Sequence, residues 1–203
     1  MTIVMITGDL GTGKTAMLTR YGCKSSLHKA HVLANYHLNS INYRPFDMVD
    51  LYINEPELSD MIILGDELYT FMDCRTSMSV RNRLESYFIT QTRKKNCDLY
   101  FTTQFSELVD YRLIYFASVW VEMENIWMWD NNIQDKVKHP YLFKATFHDY
   151  RDTKNINVTT MQFDGRIWFK EYNTNEVIYP PDDILNTQKE LRKATKKKGK
   201  SKK

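Results

Sequence analysis

A glycine-rich segment near the start of the chain constrains its fold more than any other feature. Residues 8–15 read G-D-L-G-T-G-K-T, between an apolar run at 3–6 and a helix-like start at 16–20. A strand, the pattern G-x-x-x-x-G-K-T and a helix form the context in which backbone N–H groups cradle phosphates. The segment therefore predicts a nucleotide-binding loop on an α/β core.

The residue types in this loop have distinct expected roles. Lys14 would reach the β- and γ-phosphates of ATP, and the Thr15 hydroxyl would bind Mg²⁺. The start of the following helix adds partial positive charge where the phosphates would lie. The nucleotide would contact the loop along its length, at Gly8, Asp9, Leu10, Gly11, Thr12, Gly13, Lys14, Thr15 and Ala16.

A second motif supplies carboxylates about fifty residues later. The apolar run 61–64 predicts a buried strand, and it is followed by Gly65, Asp66 and Glu67. Asp66 is expected to hold Mg²⁺, and Glu67 is expected to polarise the water that attacks the γ-phosphate. A solvated acidic pair at a strand end is the alternative interpretation.

A third motif ends another apolar strand, predicted at 98–103. The strand is followed by Gln104, whose amide can hydrogen-bond both the attacking water and the γ-phosphate. Arg93 lies upstream at a predicted helix end, where a guanidinium can be offered to the nucleotide of a neighbouring subunit. Without other context, Gln104 would cap a loop and Arg93 would complement the helix dipole.

Together these motifs resemble the FtsK–HerA superfamily of P-loop ATPases. The glycine-rich loop, the Asp66-Glu67 pair, Arg93 and Gln104 follow one another along the chain in the order of that superfamily. Arg93 precedes Gln104 by eleven residues, which is the spacing of the superfamily. The resemblance implies a RecA-like α/β core with a mainly parallel sheet flanked by helices. It also implies a ring, usually hexameric, that moves double-stranded DNA with ATP. Arg93 would then act in trans, and Gln104 would sense the γ-phosphate.

The length of the chain narrows this resemblance. A compact member of 203 residues is similar to the genome-packaging ATPases of tailless icosahedral viruses with an internal membrane. Within that group it looks most like the packaging NTPases of archaeal turreted viruses. This implies a viral genome as substrate, capsid or portal vertex proteins as partners, and a location in the host cytoplasm or at the packaging vertex.

The remaining pattern predicts one domain over 1–191. Its nucleotide core extends to about 117, a β-hairpin-rich addition covers about 118–180, and a terminal helix covers about 181–191. Within the addition, Asp164-Gly165 predicts a tight turn between strands at 156–163 and 166–172. Residues 192–203 hold eight basic and no acidic residues, which predicts a disordered basic tail.

Two basic segments are candidates for contact with DNA. The stretch 75–83 carries Arg75, Arg81 and Arg83 without an acid, and could grip phosphates without reading bases. The tail could do the same. These arginines could instead cover a surface or pair with acids of a neighbouring subunit. The tail could instead serve solubility or anchor the chain to an acidic protein.

Other classes are excluded or kept as alternatives. The most apolar stretch, 113–129, includes two glutamates, so we expect no membrane span, and we expect no secretion signal. Three well-separated cysteines predict a reducing compartment. The alternatives left open are a nucleoside or nucleotide kinase, a phage-export-type assembly ATPase and a nucleotide-binding scaffold without turnover.

Overall fold

The structure is a computed structural model, and it describes residues 2–26, 31–39, 43–45, 59–67, 94–109, 111–152 and 154–173. Its centre is one eight-stranded sheet. The strands are β1 Ile3–Thr7, β2 His31–Ala34, β3 Arg44–Pro45, β4 Met61–Gly65, β5 Asp98–Thr103, β6 Val119–Asp130, β7 Asp135–Asp149 and β8 Asn157–Asp164. The described α-helices are α1 Lys14–Ser25, α2 Tyr111–Phe116 and α3 Arg166–Phe169.

The sheet is mixed but mainly parallel. Its order is β3-β2-β4-β5-β1-β6-β7-β8, with parallel pairing from β3 through β6 and antiparallel pairing of β7 and β8. This confirms the expected α/β class with a mainly parallel sheet. The hairpin-rich addition extends the core sheet directly, because β6 pairs with β1 from Val4↔Val119 to Thr7↔Glu122.

Strands β1, β2, β4 and β5 are largely buried on both faces, as their apolar runs predict. Successive side chains of a strand point to opposite faces, so β1 and β4 contribute alternately to two apolar clusters. Helix α1 covers one face through Ala16, Met17 and Leu18, all fully buried. Leu113 of α2 packs in the cluster on the opposite face.

The register of three neighbouring strands sets the position of the site. β5 lies between β4 and β1, with Gly65 opposite Phe101 and Thr7 opposite Thr103. The carboxyl ends of these parallel strands therefore meet at one sheet edge. The glycine-rich loop, the acidic pair and Gln104 all follow these ends.

Several boundaries differ from the sequence predictions. Helix α1 ends at Ser25, although the pattern predicts about residue 28, and a two-residue strand, β3, lies in the expected irregular region. The sequence pattern predicts strands at 119–123 and 141–150. The structure extends β6 to Asp130 and starts β7 at Asp135, because residues 131–134 form the turn of a long hairpin. Lys94 and Lys95, expected at a helix end, lie in a turn.

The strand predicted at 166–172 is wrong. Residues 166–169 form the short helix α3, and Gly165 has φ −70°, so Asp164-Gly165 does not make the expected hairpin turn. The Asp164 carboxylate instead accepts the backbone N–H of Arg166 at 2.9 Å. A Cβ on Gly165 would lie 2.6 Å from the Phe143 ring, so this glycine serves close packing.

Some predictions fall outside the described residues. These are the helices predicted at 68–73 and 181–191, most of the helix predicted at 80–95, and the basic tail at 192–203. None of the helices in the described part of the chain is long and apolar enough to cross a bilayer.

The continuity of the sheet generates a stability prediction. Phe143 of β7 is 2% exposed and packs in the same cluster as α1. We expect Phe143→Ala to lower the free energy of unfolding by about 3–5 kcal/mol, because it removes a buried ring and leaves a cavity. Urea unfolding, monitored by circular dichroism and by tryptophan fluorescence, should show a single transition at a lower urea concentration than in the wild type.

The matched control is Tyr115→Ala, since that ring is 82% exposed. It should change the free energy of unfolding by less than about 0.5 kcal/mol. Two separate transitions in the Phe143→Ala protein, with only the first shifted, would contradict a single cooperative sheet.

Candidate active site

The glycine-rich loop joins β1 to α1, as its sequence predicts. Gly8, Gly11 and Gly13 all have positive φ angles, of 145°, 74° and 79°. A Cβ on Gly8 would lie 2.4 Å from the Met123 carbonyl oxygen, and one on Gly13 would lie 2.7 Å from the Phe143 ring. Side chains are therefore excluded at Gly8 and Gly13 by positive φ angles and by close packing against β6 and β7.

Lys14 is folded back over this loop. Its Nζ donates hydrogen bonds to the carbonyl oxygens of Gly8 and Asp9, both at 2.8 Å. Burial lowers the pKa of Lys14, whereas the nearby carboxylates of Asp66, Glu67 and Asp9 raise it. A buried ammonium group at the mouth of an amide-lined loop suits an anionic ligand such as a phosphate.

The other loop residues divide into structural and exposed positions. The Thr12 hydroxyl donates a hydrogen bond to the Asp9 carbonyl oxygen at 2.7 Å, which stabilises the turn of the loop. Ala16 is buried in the first turn of α1, whereas the Leu10 side chain is 72% exposed. Leu10 nevertheless lines the smaller of the two cavities at the site.

Asp66 lies beside the start of α1. Its Oδ2 accepts a hydrogen bond from the Thr15 hydroxyl at 2.9 Å, and its Oδ1 accepts one from the Thr102 hydroxyl at 2.5 Å. Burial raises the pKa of Asp66, and these two hydrogen bonds oppose that shift. A cation beside the carboxylate would stabilise its charged form.

The oxygen atoms of Thr15 and Asp66 fit a magnesium ion. Mg²⁺ prefers hard oxygen ligands and commonly takes one or two from the protein, with water and phosphate oxygens completing its shell. The described residues hold no group of three or more His, Cys, Asp or Glu side chains suited to a metal. Thr15 and Asp66 would therefore form a magnesium site with two protein ligands.

Two residues that the sequence analysis did not single out hold the acidic pair. Asn35, directly after β2, accepts the Asp66 N–H and donates to the Asp66 carbonyl oxygen, both at 2.8 Å. The Thr102 hydroxyl accepts the Glu67 N–H at 2.8 Å. Glu67 has φ 49°, an uncommon conformation for a non-glycine residue, which these contacts fix. The sequence offers two signals for these residues: Asn35 lies at a strand end, and Thr102 lies two residues before Gln104.

Gln104 directly follows β5 and borders two cavities. One of about 390 Å³ is lined by Lys14, Thr15, Asp66 and Glu67 as well as Gln104. The other, of about 620 Å³, lies on the Gly8 side of the loop. The structure thus brings eight predicted site residues around the smaller cavity, namely these five together with Leu10, Gly11 and Gly13.

Four other predicted site residues cannot be located relative to this cavity. Arg93 and the three arginines proposed for DNA contact, Arg75, Arg81 and Arg83, lie outside the described residues.

Comparison with known proteins identifies similar folds. No protein-family model matches the chain, and no curated protein matches its sequence with significance. The N-terminal domain of zonular occludens toxin from Neisseria meningitidis superimposes with a TM-score of 0.60 at 17% identity, over 85% of this chain and 98% of that domain.

The genome packaging NTPase B204 from Sulfolobus turreted icosahedral virus 2 is also similar. Its sulfate complex gives a TM-score of 0.53 at 12% identity over 77% of this chain and 94% of that one. Its AMP complex gives 0.51 at 13% identity, over 77% and 96%. The expected likeness to a packaging NTPase of turreted viruses is thereby confirmed for the fold. This chain has a P-loop NTPase fold.

Proposed function

We propose that this protein hydrolyses ATP with Mg²⁺ and uses the energy to move double-stranded DNA into a preformed viral capsid. The observation that carries the hydrolytic part is the convergence of Lys14, Thr15, Asp66, Glu67 and Gln104 on one cavity. These side chains supply a cation, two oxygen ligands, a general base and an amide at the edge where three parallel strands end.

The loop would bind the phosphates of ATP. Its backbone N–H groups and the N-terminus of α1 favour negative charge. Lys14 would exchange its two carbonyl acceptors in the loop for β- and γ-phosphate oxygens. Mg²⁺ held by Thr15 and Asp66 would neutralise charge on the same oxygens.

Glu67 would act on the attacking water. The water oxygen attacks the γ-phosphorus, the bond to the β–γ bridging oxygen breaks, and ADP departs with that electron pair. Glu67 takes the proton that the water loses, and Gln104 donates a hydrogen bond to the γ-phosphate. The hydrogen bond from the Glu67 backbone to Thr102 supports this role, since it fixes the base beside β5.

The DNA part of the proposal rests on charge in the sequence and on likeness in fold. Arg75, Arg81 and Arg83 form a basic stretch without acids, and residues 192–203 carry eight basic side chains. Such groups bind phosphates independently of base sequence, as a motor moving along any genome requires. The similar fold of a protein named as a genome packaging NTPase agrees with this assignment.

We propose further that the protein works as a homo-oligomeric ring, most simply a hexamer, with Arg93 of one subunit completing the site of the next. Its partners would be capsid or portal vertex proteins, and its place of action the host cytoplasm or the packaging vertex. The outer half of the β6–β7 hairpin exposes apolar surface suited to protein contacts. The exposed side chains there are Trp127, Met128, Trp129 and Ile133.

The hydrolytic proposal predicts a separation of binding from turnover. Glu67→Gln should lower steady-state ATP hydrolysis about 100-fold or more, because the base is lost, while Mg·ATP affinity stays unchanged. Phosphate release and isothermal titration with Mg·ATP measure the two quantities. Glu124→Gln is the matched control, and we expect wild-type turnover from it. Full turnover in Glu67→Gln, or none in the wild type, would contradict the proposal.

The ring proposal predicts rescue between inactive variants. Arg93→Ala and Lys14→Ala should each abolish ATP hydrolysis alone, since one loses the arginine supplied to a neighbour and the other loses phosphate binding. Mixed in equal amounts, they should regain part of the activity, because mixed rings contain interfaces with both wild-type residues. Light scattering must show that both variants still form rings. Intact mixed rings without activity would argue against action in trans.

A further inference from the structure

The 390 Å³ cavity also has lining residues that the hydrolytic chemistry does not use. Besides the charged residues it is lined by Pro140 and Phe143 of β7, by Phe169 of α3 and by Tyr172. We call these four residues the apolar wall. Their one polar side-chain atom is the Tyr172 hydroxyl, so this part of the lining differs in chemistry from the charged part.

The apolar wall is held by packing and by hydrogen bonds to distant parts of the chain. Phe169 makes edge-type contacts with Phe143 and Tyr172, with ring centroids 6.4 and 6.3 Å apart. Tyr172 bridges to Leu38 after β2, and the Asn39 N–H donates to the Glu171 carbonyl oxygen at 2.8 Å. The wall is therefore an integral part of the fold rather than an unsupported loop.

The position of the apolar wall relative to the loop defines what can reach it. Phe143 lies against Gly13, and α3 packs on α1, whose first residues are Lys14 and Thr15. A triphosphate bound along the loop would place its nucleoside end on the side of the first turn of α1. The apolar wall lines the same cavity as that turn.

From this continuity we infer that the apolar wall receives the nucleobase of the bound nucleotide, with Phe169 as its main contact. Every nucleobase has an apolar face that packs on an aromatic ring without sequence-specific hydrogen bonds. The inference rests on the proposed function and adds the contact with the base to the same site.

The chemistry of the apolar wall also sets how strongly bases are distinguished. A site that binds one ligand far more tightly than a related one usually has buried hydrogen-bonding groups. The wrong ligand leaves these groups unpaired, which lowers its affinity. The wall offers the ring atoms of Phe143, Phe169 and Pro140 and a single hydroxyl. ATP, GTP and CTP should therefore bind with dissociation constants within about tenfold of one another.

The test compares ligands with and without a base on the full chain. Isothermal titration with Mg²⁺ present should show that Phe169→Ala weakens ATP binding about tenfold, since the base loses its stacking on an aromatic ring. Inorganic tripolyphosphate, which has no base, should bind this variant and the wild type equally. Ile167→Ala, a neighbour on α3 that is 63% exposed, should leave both affinities unchanged.

A second variant separates base contact from a structural role. Phe169→Leu keeps apolar bulk but removes the ring, so we expect an intermediate loss for ATP and none for tripolyphosphate. Equal weakening of both ligands in Phe169→Ala would show that Phe169 only supports the loop and would overturn the inference. Unchanged ATP affinity would overturn it as well. A preference above about 100-fold among ATP, GTP and CTP would overturn the absence of base readout.

These outcomes are distinguishable from failure of the proposed function. A wild-type protein that binds ATP but does not hydrolyse it would contradict the ATPase proposal and leave the assignment of the apolar wall standing. Normal hydrolysis with no effect of Phe169→Ala on ATP binding would contradict the wall assignment alone.

Discussion

The carboxylate of Asp66 is the junction on which the rest of the candidate site depends. Its two oxygens accept hydrogen bonds from Thr15 at the start of α1 and from Thr102 in β5, while Asn35 after β2 pairs with its backbone. One residue thus ties the phosphate loop, the acidic pair and the strand that carries Gln104 into a single unit. The parallel register of β4, β5 and β1 makes this possible, because it brings three strand ends level at one sheet edge.

The charges around this junction favour a charged ligand. Lys14 and Asp66 are both buried. Burial lowers the pKa of Lys14 and raises the pKa of Asp66, and both shifts favour the neutral form of the side chain. The hydrogen bonds from Thr102 and Thr15 oppose this pKa shift at Asp66, and the carboxylates of Asp66, Glu67 and Asp9 oppose it at Lys14. Phosphates beside Lys14 and a magnesium ion beside Asp66 would each add further opposite charge. These local electrostatics agree with the Mg·ATP hydrolysis that we propose.

Local patterns in the sequence predict much of this architecture, and contacts between distant residues account for what they miss. The loop at 8–15 and strands β4 and β5 follow from apolar runs and glycine spacing, which act within a few residues. The roles of Asn35 and Thr102 depend on side chains meeting across the sheet, so no short motif reveals them. The helix at 166–169 was predicted as a strand, since Asp164-Gly165 commonly forms hairpins. Packing of Gly165 on Phe143 and the turn made by the Asp164 carboxylate favour a helix there.

The coupling of ATP hydrolysis to DNA is the central claim. It is tested most directly by steady-state hydrolysis of ATP by the full wild-type chain, with and without linear double-stranded DNA, over a range of salt concentrations. The account predicts that DNA raises turnover and that this stimulation declines as salt weakens phosphate contacts. Turnover that is the same with and without DNA at every salt concentration, together with transfer of phosphate to a nucleoside or nucleotide acceptor, would contradict it and identify a kinase.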